Sequence, residues 1–257
     1  MKVIQSFEIT RIKGDRRIPM SDSVIREHRH RIFVGGEPYA DLICIAQDLE
    51  ALTVGHLMNE GAIRGREDLL ALTVDEQGAH VTLAEAAPLI ETGVRTVGTG
   101  LGAPRSAAFR ALEKRAPEPL VSSLTFRLED IVPLVESFQE SSELFTATGG
   151  VHSCALCDSK GKLLYFMEDL GRHNAFDKVI GAALLDGISP SECFLMTSGR
   201  VPSDMLIKAV NARLPLVVSR SAPTDVAIEM AVQYGVTLCG FARGDRMNLY
   251  THPERLL

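Results

Sequence analysis

Residues 193–243 read CFLMTSGRVPSDMLIKAVNARLPLVVSRSAPTDVAIEMAVQYGVTLCGFAR. Short apolar runs, such as CFLMT, PLVVS and VTLCGF, alternate here with segments whose apolar residues recur at helical spacing. Parallel strands need a crossover connection, and strands covered by helices on both faces are apolar throughout. The stretch therefore predicts an α/β fold in which buried parallel strands are joined by helices.

The residues before this stretch extend the same pattern. A helix is predicted over 129–145, with Pro133 tolerated in its first turn. GVHSCALCD at 150–158 and KLLYFMED at 162–169 are predicted strands on either side of a short polar turn, and a helix follows over 172–187. The predicted order is α-β-β-α-β-α-β-α-β, which favours one sheet wrapped by crossover helices.

The first third of the chain has a different pattern and predicts a smaller, β-rich unit. RHRIFVGG at 29–36 is a strand that ends in a hairpin signal, and ADLICI at 40–45 is a second strand. An amphipathic helix is predicted over 46–61, and further strands are predicted over 68–74 and 79–86.

Glycine and proline concentrate between these two parts of the chain. Residues 93–107 hold four glycines and a proline, and two more prolines lie within residues 115–123. Such a composition is typical of a connection between domains, or of a functional loop. We therefore predict an N-terminal domain over 1–122 and a C-terminal domain over 123–257.

Composition and charge narrow the classes of protein to consider. Lys and Arg number 27 against 33 Asp and Glu, a net charge of −6, so a nonspecific nucleic-acid backbone partner is not expected. No apolar run reaches the roughly 18–20 residues of a membrane helix, and the first residues lack a signal-peptide core. We expect a cytoplasmic protein without structural disulfides, in which Cys44, Cys193 and Cys239 are small buried side chains.

The loops at the carboxyl ends of the predicted strands have a composition that suits ligand binding. In open α/β sheets, ligands bind where strands lead into helices. Each loop carries at least one arginine, and small residues in three of them let backbone amides approach phosphate oxygens. We predict an anionic ligand, a nucleotide or pterin phosphate. Alternatively, each arginine could pair on the surface with Glu168, Asp169 or Asp245. The loops are residues 168–174, 197–200, 219–224 and 241–246.

Cys154 and Cys157 form the single C-x-x-C motif of the chain. If the strand over 150–158 is regular, residues three apart point to opposite faces. Three interpretations stay open: buried structural cysteines, thiol or sulfur chemistry, and a zinc site that adds His152 or His173. His152 itself, after a glycine pair, could face a ligand or simply be hydrogen-bonded structure.

Five segments of the second half resemble, in order and spacing, the formate dehydrogenase accessory sulfurtransferase family (FdhD). They are TGGVHSCAL, EDLGRHNAFDKVIG, TSGRVPSDMLIKA, PLVVSRSAPTDVAIEMA and GVTLCGFARGDRMNLYT. The resemblance covers about residues 26–252, and it implies a C-terminal domain with a cytidine-deaminase-like α/β fold without the zinc site. It further implies a homodimeric sulfur carrier. Such a carrier takes sulfur as a cysteine persulfide from a cysteine desulfurase and delivers it to the bis-guanine-dinucleotide molybdenum cofactor, which then enters formate dehydrogenase.

The resemblance also implies which residues bind the cofactor. The family's binding motif falls on Phe241 through Arg246, and those residues carry over intact. Together with the other loops, the predicted cofactor-binding set is Phe241, Ala242, Arg243, Gly244, Asp245, Arg246, His173, Ser198, Arg200, Ser219 and Arg220. No metal ligands are predicted, and a zinc hydrolase of the deaminase type is disfavoured because its H-x-E and P-C-x-x-C signature is absent in usable form.

One departure from the family concerns the sulfur-carrying cysteines. The family usually has a C-x-x-C in the glycine-rich loop, whereas residues 95–102 read RTVGTGLG and hold no cysteine. Either the sulfur site has moved to Cys154 or Cys157, or the protein binds the cofactor without transferring sulfur. Our predicted catalytic residues are Cys154 and Cys157, with Cys154 preferred because it shares a strand face with His152.

Overall fold

The computed structural model describes residues 2–84, 118–138 and 140–257, together with the backbone of residues 95–97. Its first feature is a separate two-stranded antiparallel ribbon of β1 (Ile4–Lys13) and β2 (Arg16–Ile25). Gly14 turns the chain between them with a φ of 59°. The sequence predicts no strands here, because charges interrupt the apolar residues of a ribbon that is largely exposed on both faces.

The N-terminal part also contains a five-stranded sheet in the order β5-β6-β3-β4-β7. The predicted strands and helix of this part are confirmed, with small shifts at their ends. A hairpin through Gly35 and Gly36, both at positive φ, joins β3 and β4. The elements are β3 (His28–Val34), β4 (Glu37–Cys44), α1 (Leu49–Asn59), β5 (Leu69–Val74), β6 (Ala79–Leu83) and β7 (Arg95–Val97).

The C-terminal part is built on a six-stranded sheet in the order β13-β12-β11-β10-β8-β9. Its strands are β8 (His152–Asp158), β9 (Leu163–Asp169), β10 (Cys193–Thr197), β11 (Leu216–Ser219), β12 (Thr237–Arg243) and β13 (Arg246–Leu249). The prediction of parallel strands holds for β10, β11 and β12 but is wrong for β8, which is antiparallel to both of its neighbours. The tight hairpin between β8 and β9 forces this arrangement, because the next strand, β10, is inserted beside β8.

Helices flank this sheet as α2 (Leu128–Ser137), α3 (Glu143–Thr148), α4 (Arg172–Leu185), α5 (Ser203–Asn211) and α6 (Asp225–Tyr234). The single helix predicted over 129–145 is wrong, since two helices occupy that stretch. Pro133 also lies in the second turn of α2 rather than the first. The hydroxyls of Ser137 and Ser141 bond back to the carbonyls of Pro133 and Ser137, a pattern that bends helices and helps to end this one.

The two faces of the six-stranded sheet bury different apolar clusters. One face packs against α2, where Phe194 and Met196 of β10 contact the cluster that contains Ile131 and Val135. The opposite face, with Leu195 among its side chains, belongs to a larger cluster that continues through α4 and α1 into the N-terminal sheet. The predicted division at residue 122 stays a prediction. No helix within the described ranges has the length and apolar character of a membrane span.

Helices α1 and α4 pack with their backbones in contact. A Cβ atom on Gly55 would lie 1.8 Å from the carbonyl oxygen of Asp177, and one on Gly181 would lie 1.8 Å from that of Ala51. Only glycine permits so close an approach. The contact fixes α4, whose first turn lies at the candidate site, against the N-terminal part of the chain.

Candidate functional site

The carboxyl ends of β9, β10, β11 and β12 meet at one edge of the six-stranded sheet, where β8 begins. The register shows this, because His152 lies opposite Asp169, and Cys154 lies opposite Thr197. β11 and β12 continue parallel to β10. The four predicted loops therefore lie along one edge of the sheet, which we call the carboxyl edge. It comprises residues 168–174, 197–200, 219–224 and 241–246.

Backbone and hydroxyl hydrogen bonds hold these loops in fixed positions. The amide of Arg220 donates to the carbonyl of Thr197 over 3.0 Å, and that of Phe241 donates to the carbonyl of Ser221 over 3.0 Å. Ser219 is buried, and its hydroxyl donates to the carbonyl of Gly199 over 2.8 Å. Ser219 was predicted to contact the ligand, but its buried hydroxyl instead links two loops to each other.

Residues 241–246 comprise the end of β12, a tight turn at Gly244 and Asp245, and the start of β13, a strand that the sequence did not predict. Phe241 has a φ of 53° and is 42% exposed, and Gly244 has a φ of 55°. Arg243, Asp245 and Arg246 are exposed as well, whereas Ala242 is buried in the α2-side cluster. Arg243 and Arg246 therefore flank one turn and are exposed, while Ala242 packs into the core and holds that turn against the sheet.

Two arginines from neighbouring loops lie together beside this turn. The Arg243 Nε donates to the carbonyl of Arg220 over 3.4 Å. Burial and the like charge of Arg243 lower the pKa of Arg220. Arg200, in the loop that follows β10, is exposed. Clustered guanidinium groups of this kind favour an anionic ligand with phosphate oxygens.

The carboxylates at this edge, Glu168 and Asp169, are engaged with groups other than the arginines. Glu168 accepts bonds from the Ser142 hydroxyl and, over 3.3 Å, from the Leu144 amide at the start of α3. Asp169 is fully buried and lies 2.8 Å from the Nζ of Lys178. Surface pairing of the loop arginines with Glu168 or Asp169 is thus wrong. The third carboxylate that the sequence offered as a partner, Asp245, is exposed in the turn after β12.

Asp169 also fixes the start of α4 against the N-terminal part. Its carboxylate accepts the Ile45 amide over 3.1 Å and the Asn174 side-chain amide over 2.9 Å. The same Asn174 amide donates to the carbonyl of Ile43. These buried bonds hold the first turn of α4 at the carboxyl edge.

Two histidines lie at this edge close to the start of α4. His152 Nδ1 is 3.3 Å from the Ser198 hydroxyl, which also accepts the Ser153 amide over 3.0 Å. Burial, Arg172 and His173 lower the pKa of His152, so its imidazole is neutral at pH 7. His173 Nε2 lies 3.3 Å from Asp204 at the start of α5. Burial alone would raise the pKa of Asp204, but His173 and Arg172 outweigh it and lower that pKa.

Arg172 and Asp204 are the site residues that the sequence prediction left out. Arg172 stands next to the predicted His173 in the loop over 168–174, so the arginine content of that loop was the available signal. Asp204 belongs to another helix, and its contact with His173 follows only from the fold.

Cys154 and Cys157 lie on opposite faces of β8, as strand alternation predicted. Cys154 belongs to the larger core cluster and Cys157 to the α2-side cluster, and both are 0% exposed. Burial raises the pKa of each thiol to about 12. Two sulfurs on opposite faces cannot bind one ion, so the zinc interpretation of this pair is wrong.

The remaining cysteines are buried as the sequence predicted. Cys44, Cys193 and Cys239 are all free thiols in the core. Burial raises the pKa of Cys44 and Cys239 to about 12 and that of Cys193 to about 11. All five cysteines of the chain are thus held as un-ionised thiols at neutral pH.

Comparison with known proteins places this geometry in one family. Residues 25–257 match the model of the FdhD/NarQ family. The sulfur carrier protein FdhD of Bacillus subtilis is 34% identical over 259 residues, covering 99% of this chain and 98% of that protein. That of Listeria monocytogenes serotype 4b is 33% identical, covering 100% of each chain. A crystal structure described as a formate dehydrogenase accessory protein, from Desulfotalea psychrophila, superposes with a TM-score of 0.85 at 27% identity and covers 100% of both chains.

Proposed function

Because this chain belongs to the FdhD/NarQ family, we propose that it is an accessory protein of formate dehydrogenase maturation. It binds the bis-guanine-dinucleotide molybdenum cofactor as its client and passes to it sulfur taken from a cysteine desulfurase. The cofactor then enters formate dehydrogenase. Full-length similarity to sulfur carrier proteins supports this assignment.

The arrangement of the carboxyl edge carries the cofactor-binding part of the proposal. Arg200, Arg220, Arg243 and Arg246 belong to three neighbouring loops of this edge, and the Arg243 side chain contacts the backbone of Arg220. Hydrogen bonds between the loops fix their relative positions. Exposed guanidinium groups beside glycine-containing turns suit the diphosphates of a dinucleotide. Phe241, exposed in the same turn, offers an aromatic face to a planar base or pterin.

The sulfur step would run through Cys154, the thiol on the His152 side of β8. For transfer, this thiol must first become a thiolate. The thiolate then attacks the outer sulfur of the persulfide on the cysteine desulfurase, which breaks that S–S bond, forms a persulfide on Cys154 and releases the desulfurase cysteine as a thiolate. In the folded structure burial raises the pKa of Cys154 to about 12, and the neutral His152 offers no cation to lower it. Carriage on Cys154 therefore requires β8 to open enough for solvent to reach this sulfur.

The burial of all five cysteines favours a second candidate function. In that case the chain binds the cofactor and presents it for maturation, while the sulfur is held by another protein. The glycine-rich residues 95–102 agree with this candidate, because they hold no cysteine. Of these residues, the structure describes only the backbone of 95–97.

Sulfur mapping after incubation with a cysteine desulfurase and cysteine separates the two candidates. If the chain carries sulfur, we expect one added sulfur atom on the peptide that contains Cys154, and its loss in Cys154→Ala. Cys157→Ala is the matched control, because it removes a thiol from the opposite face of the same strand and should leave the label in place. If no cysteine of the wild-type chain gains sulfur, sulfur carriage is contradicted and the second candidate, cofactor binding without sulfur transfer, is favoured.

The proposal extends to fold family, assembly and location. We assign the six-stranded sheet and its helices to a cytidine-deaminase-like domain that lacks the zinc site. The order of a hairpin, a helix and three parallel strands from β8 to β12 supports this assignment. We also propose that the chain acts as a cytoplasmic homodimer, as the family resemblance implies.

A further inference from the structure

The β1–β2 ribbon is joined to the rest of the protein at its base. Ile25, the last residue of β2, packs on Gly150, where an added Cβ atom would lie 3.2 Å from Ile25 Cγ2, and β2 contacts α3. Each strand has ten residues, so the ribbon is about 33 Å long at about 3.3 Å per residue. A two-stranded ribbon is marginally stable by itself in water, so a partner that covers one of its faces would stabilise it.

The two faces of the ribbon differ in composition. Strand pairing places five large apolar side chains on one face, which we call the apolar face: Phe7, Ile9, Ile18, Met20 and Val24. Phe7 is 47% exposed and Ile18 is 41% exposed. The other face is more polar, with a serine opposite a serine and a threonine opposite a proline. Exposed apolar side chains gathered on one face are typical of a surface that binds another protein.

The tip of the ribbon is strongly basic. Residues 11–17 read RIKGDRR and hold four exposed cations against one carboxylate. Lys13 lies directly opposite Arg16, and like charges at paired positions destabilise a ribbon. Within the described residues, no ion pair joins any of these four cations to a carboxylate outside the tip. A partner that supplies carboxylates would therefore relieve the repulsion at the tip.

The rest of the chain has the opposite charge. Residues 1–26 hold six Lys and Arg against three Asp and Glu, a net charge of +3, whereas residues 27–257 hold 21 against 30, a net charge of −9. A body of this charge attracts the basic ribbon of another copy. It is repelled by anionic lipid and by nucleic acid, which disfavours both as partners of the tip. A second copy of the chain is thus the partner that the charges favour.

Residues 128–145 have the acidic and apolar character that matches the ribbon. This stretch, which we call the acidic segment, reads LEDIVPLVESFQESSELF and holds five Asp and Glu but no Lys or Arg. Glu136 and Glu140 are exposed, and so are Leu128 and Phe145, at 43% and 39%. The segment ends within α3, which the ribbon of the same chain contacts. Because ribbon and segment border each other, a two-fold axis can bring each ribbon against the segment of the other copy in one interface.

We propose that the β1–β2 ribbon docks on the acidic segment of a second copy of this chain. The apolar face packs on the exposed apolar side chains of the segment, and the basic tip pairs with Glu136 and Glu140. Two-fold symmetry makes the contact reciprocal. The inference rests on the proposed homodimer and names its contact surface. The family model begins at residue 25, so the ribbon precedes the part of the chain that this model matches.

Sedimentation velocity of charge-reversed, full-length variants tests the proposal. We expect a dimeric wild-type protein. Lys13→Glu/Arg16→Glu should raise the dissociation constant of the dimer at least about 100-fold, because like charges then face each other across the interface. Glu136→Lys/Glu140→Lys should do the same from the other side of the contact.

Arg66→Glu/Arg213→Glu is the matched control, because it reverses two exposed arginines on a different surface. Both line a cavity with Met58 and Leu184, beside the larger core cluster, whereas α2 packs on the opposite face of the six-stranded sheet. This variant should remain as dimeric as the wild type.

Mixing the two reversed variants distinguishes a lost contact from a damaged fold. Lys13→Glu/Arg16→Glu and Glu136→Lys/Glu140→Lys should form a mixed dimer, because each ribbon then again meets a segment of opposite charge. A dimer restored in the mixture also shows that both variants are folded.

Three results would overturn the inference, and they are distinguishable from one another. A ribbon-reversed protein that dimerises as tightly as the wild type would refute the role of the ribbon and leave the homodimer standing. Reversed variants that stay monomeric when mixed would refute the pairing of the ribbon with the acidic segment. A monomeric wild-type protein would remove the homodimer together with this contact, and it would leave an acidic protein of another kind as the partner of the ribbon.

Discussion

Replacing Asp177 by Ala should destabilise the protein by about 3–5 kcal/mol, because it leaves a buried positive charge without its partner. Both carboxylate oxygens of Asp177 accept bonds from the Lys208 Nζ over 2.7 Å. Asn59 donates a further bond of 2.7 Å to the same carboxylate, and His56 Nδ1 lies 3.4 Å away. The substitution therefore breaks a buried network that joins α1, α4 and α5.

Urea denaturation of the wild type and Asp177→Ala measures this loss. Glu229→Ala removes an exposed carboxylate from α6 and is the matched control, with an expected change within about 0.5 kcal/mol. A loss below about 1 kcal/mol for Asp177→Ala would contradict a buried role for this ion pair.

The same network predicts how stability depends on pH. Burial alone would raise the pKa of Asp177, but Lys208 and His56 outweigh it and lower that pKa to about 2. An unfolded Asp titrates near pH 3.9, so the stabilisation is complete above about pH 4 and is lost as the pH falls towards 2. The difference in stability between the wild type and Asp177→Ala should shrink over that interval.

Gly181→Ala should be the second severe substitution, because the added methyl group would overlap the backbone of α1. Its Cβ would lie 1.8 Å from the Ala51 carbonyl oxygen and 2.7 Å from the Gly55 amide nitrogen. The two helices would have to move apart, and overpacking of this kind costs about 1–3 kcal/mol or more. The displacement would also strain the bonds that α1 makes to Asp177.

The sign of the change is the decisive observation for Gly181→Ala. In a helix interior without tertiary contacts, Gly→Ala stabilises by roughly 0.8–1 kcal/mol because Ala has the higher helix propensity. A lower midpoint of urea unfolding is the expected result. A raised midpoint would show that α1 and α4 are not in backbone contact.

Periodicity in the sequence predicted most elements of the C-terminal sheet, but it could not predict their direction. Apolar runs such as CFLMT look alike whether their neighbours are parallel or antiparallel. The antiparallel pairing of β8 with β10 therefore could not be predicted from the sequence and is seen only in the structure. The hairpin at 241–246 did have a local signal, because Gly244–Asp245 is a typical tight-turn pair. The sequence signal for the β1–β2 ribbon was weak, because neither face of this ribbon is deeply buried and charged residues interrupt its apolar ones.

The candidate site was predictable at the level of loops rather than of contacts. Arginine-bearing loops at strand ends identified the carboxyl edge, because all these strand ends meet at the same edge. The Arg172 side chain packs directly over Gly199, where a larger residue would crowd it. The spacing of residues in the sequence does not predict this contact. The burial of Cys154 follows from the packing of β8 against α4 in the larger core cluster.

A calorimetric titration with GDP tests most directly the central claim that the carboxyl edge binds the guanine nucleotide of the cofactor. We predict saturable binding to the wild-type protein. Each charge-assisted contact contributes about 1.5–3 kcal/mol, so Arg243→Ala/Arg246→Ala should weaken binding at least about 10-fold. Lys160→Ala/Lys162→Ala removes the same charge from the turn at the opposite edge and should bind as the wild type does. An unchanged affinity in the Arg243→Ala/Arg246→Ala protein would contradict the claim.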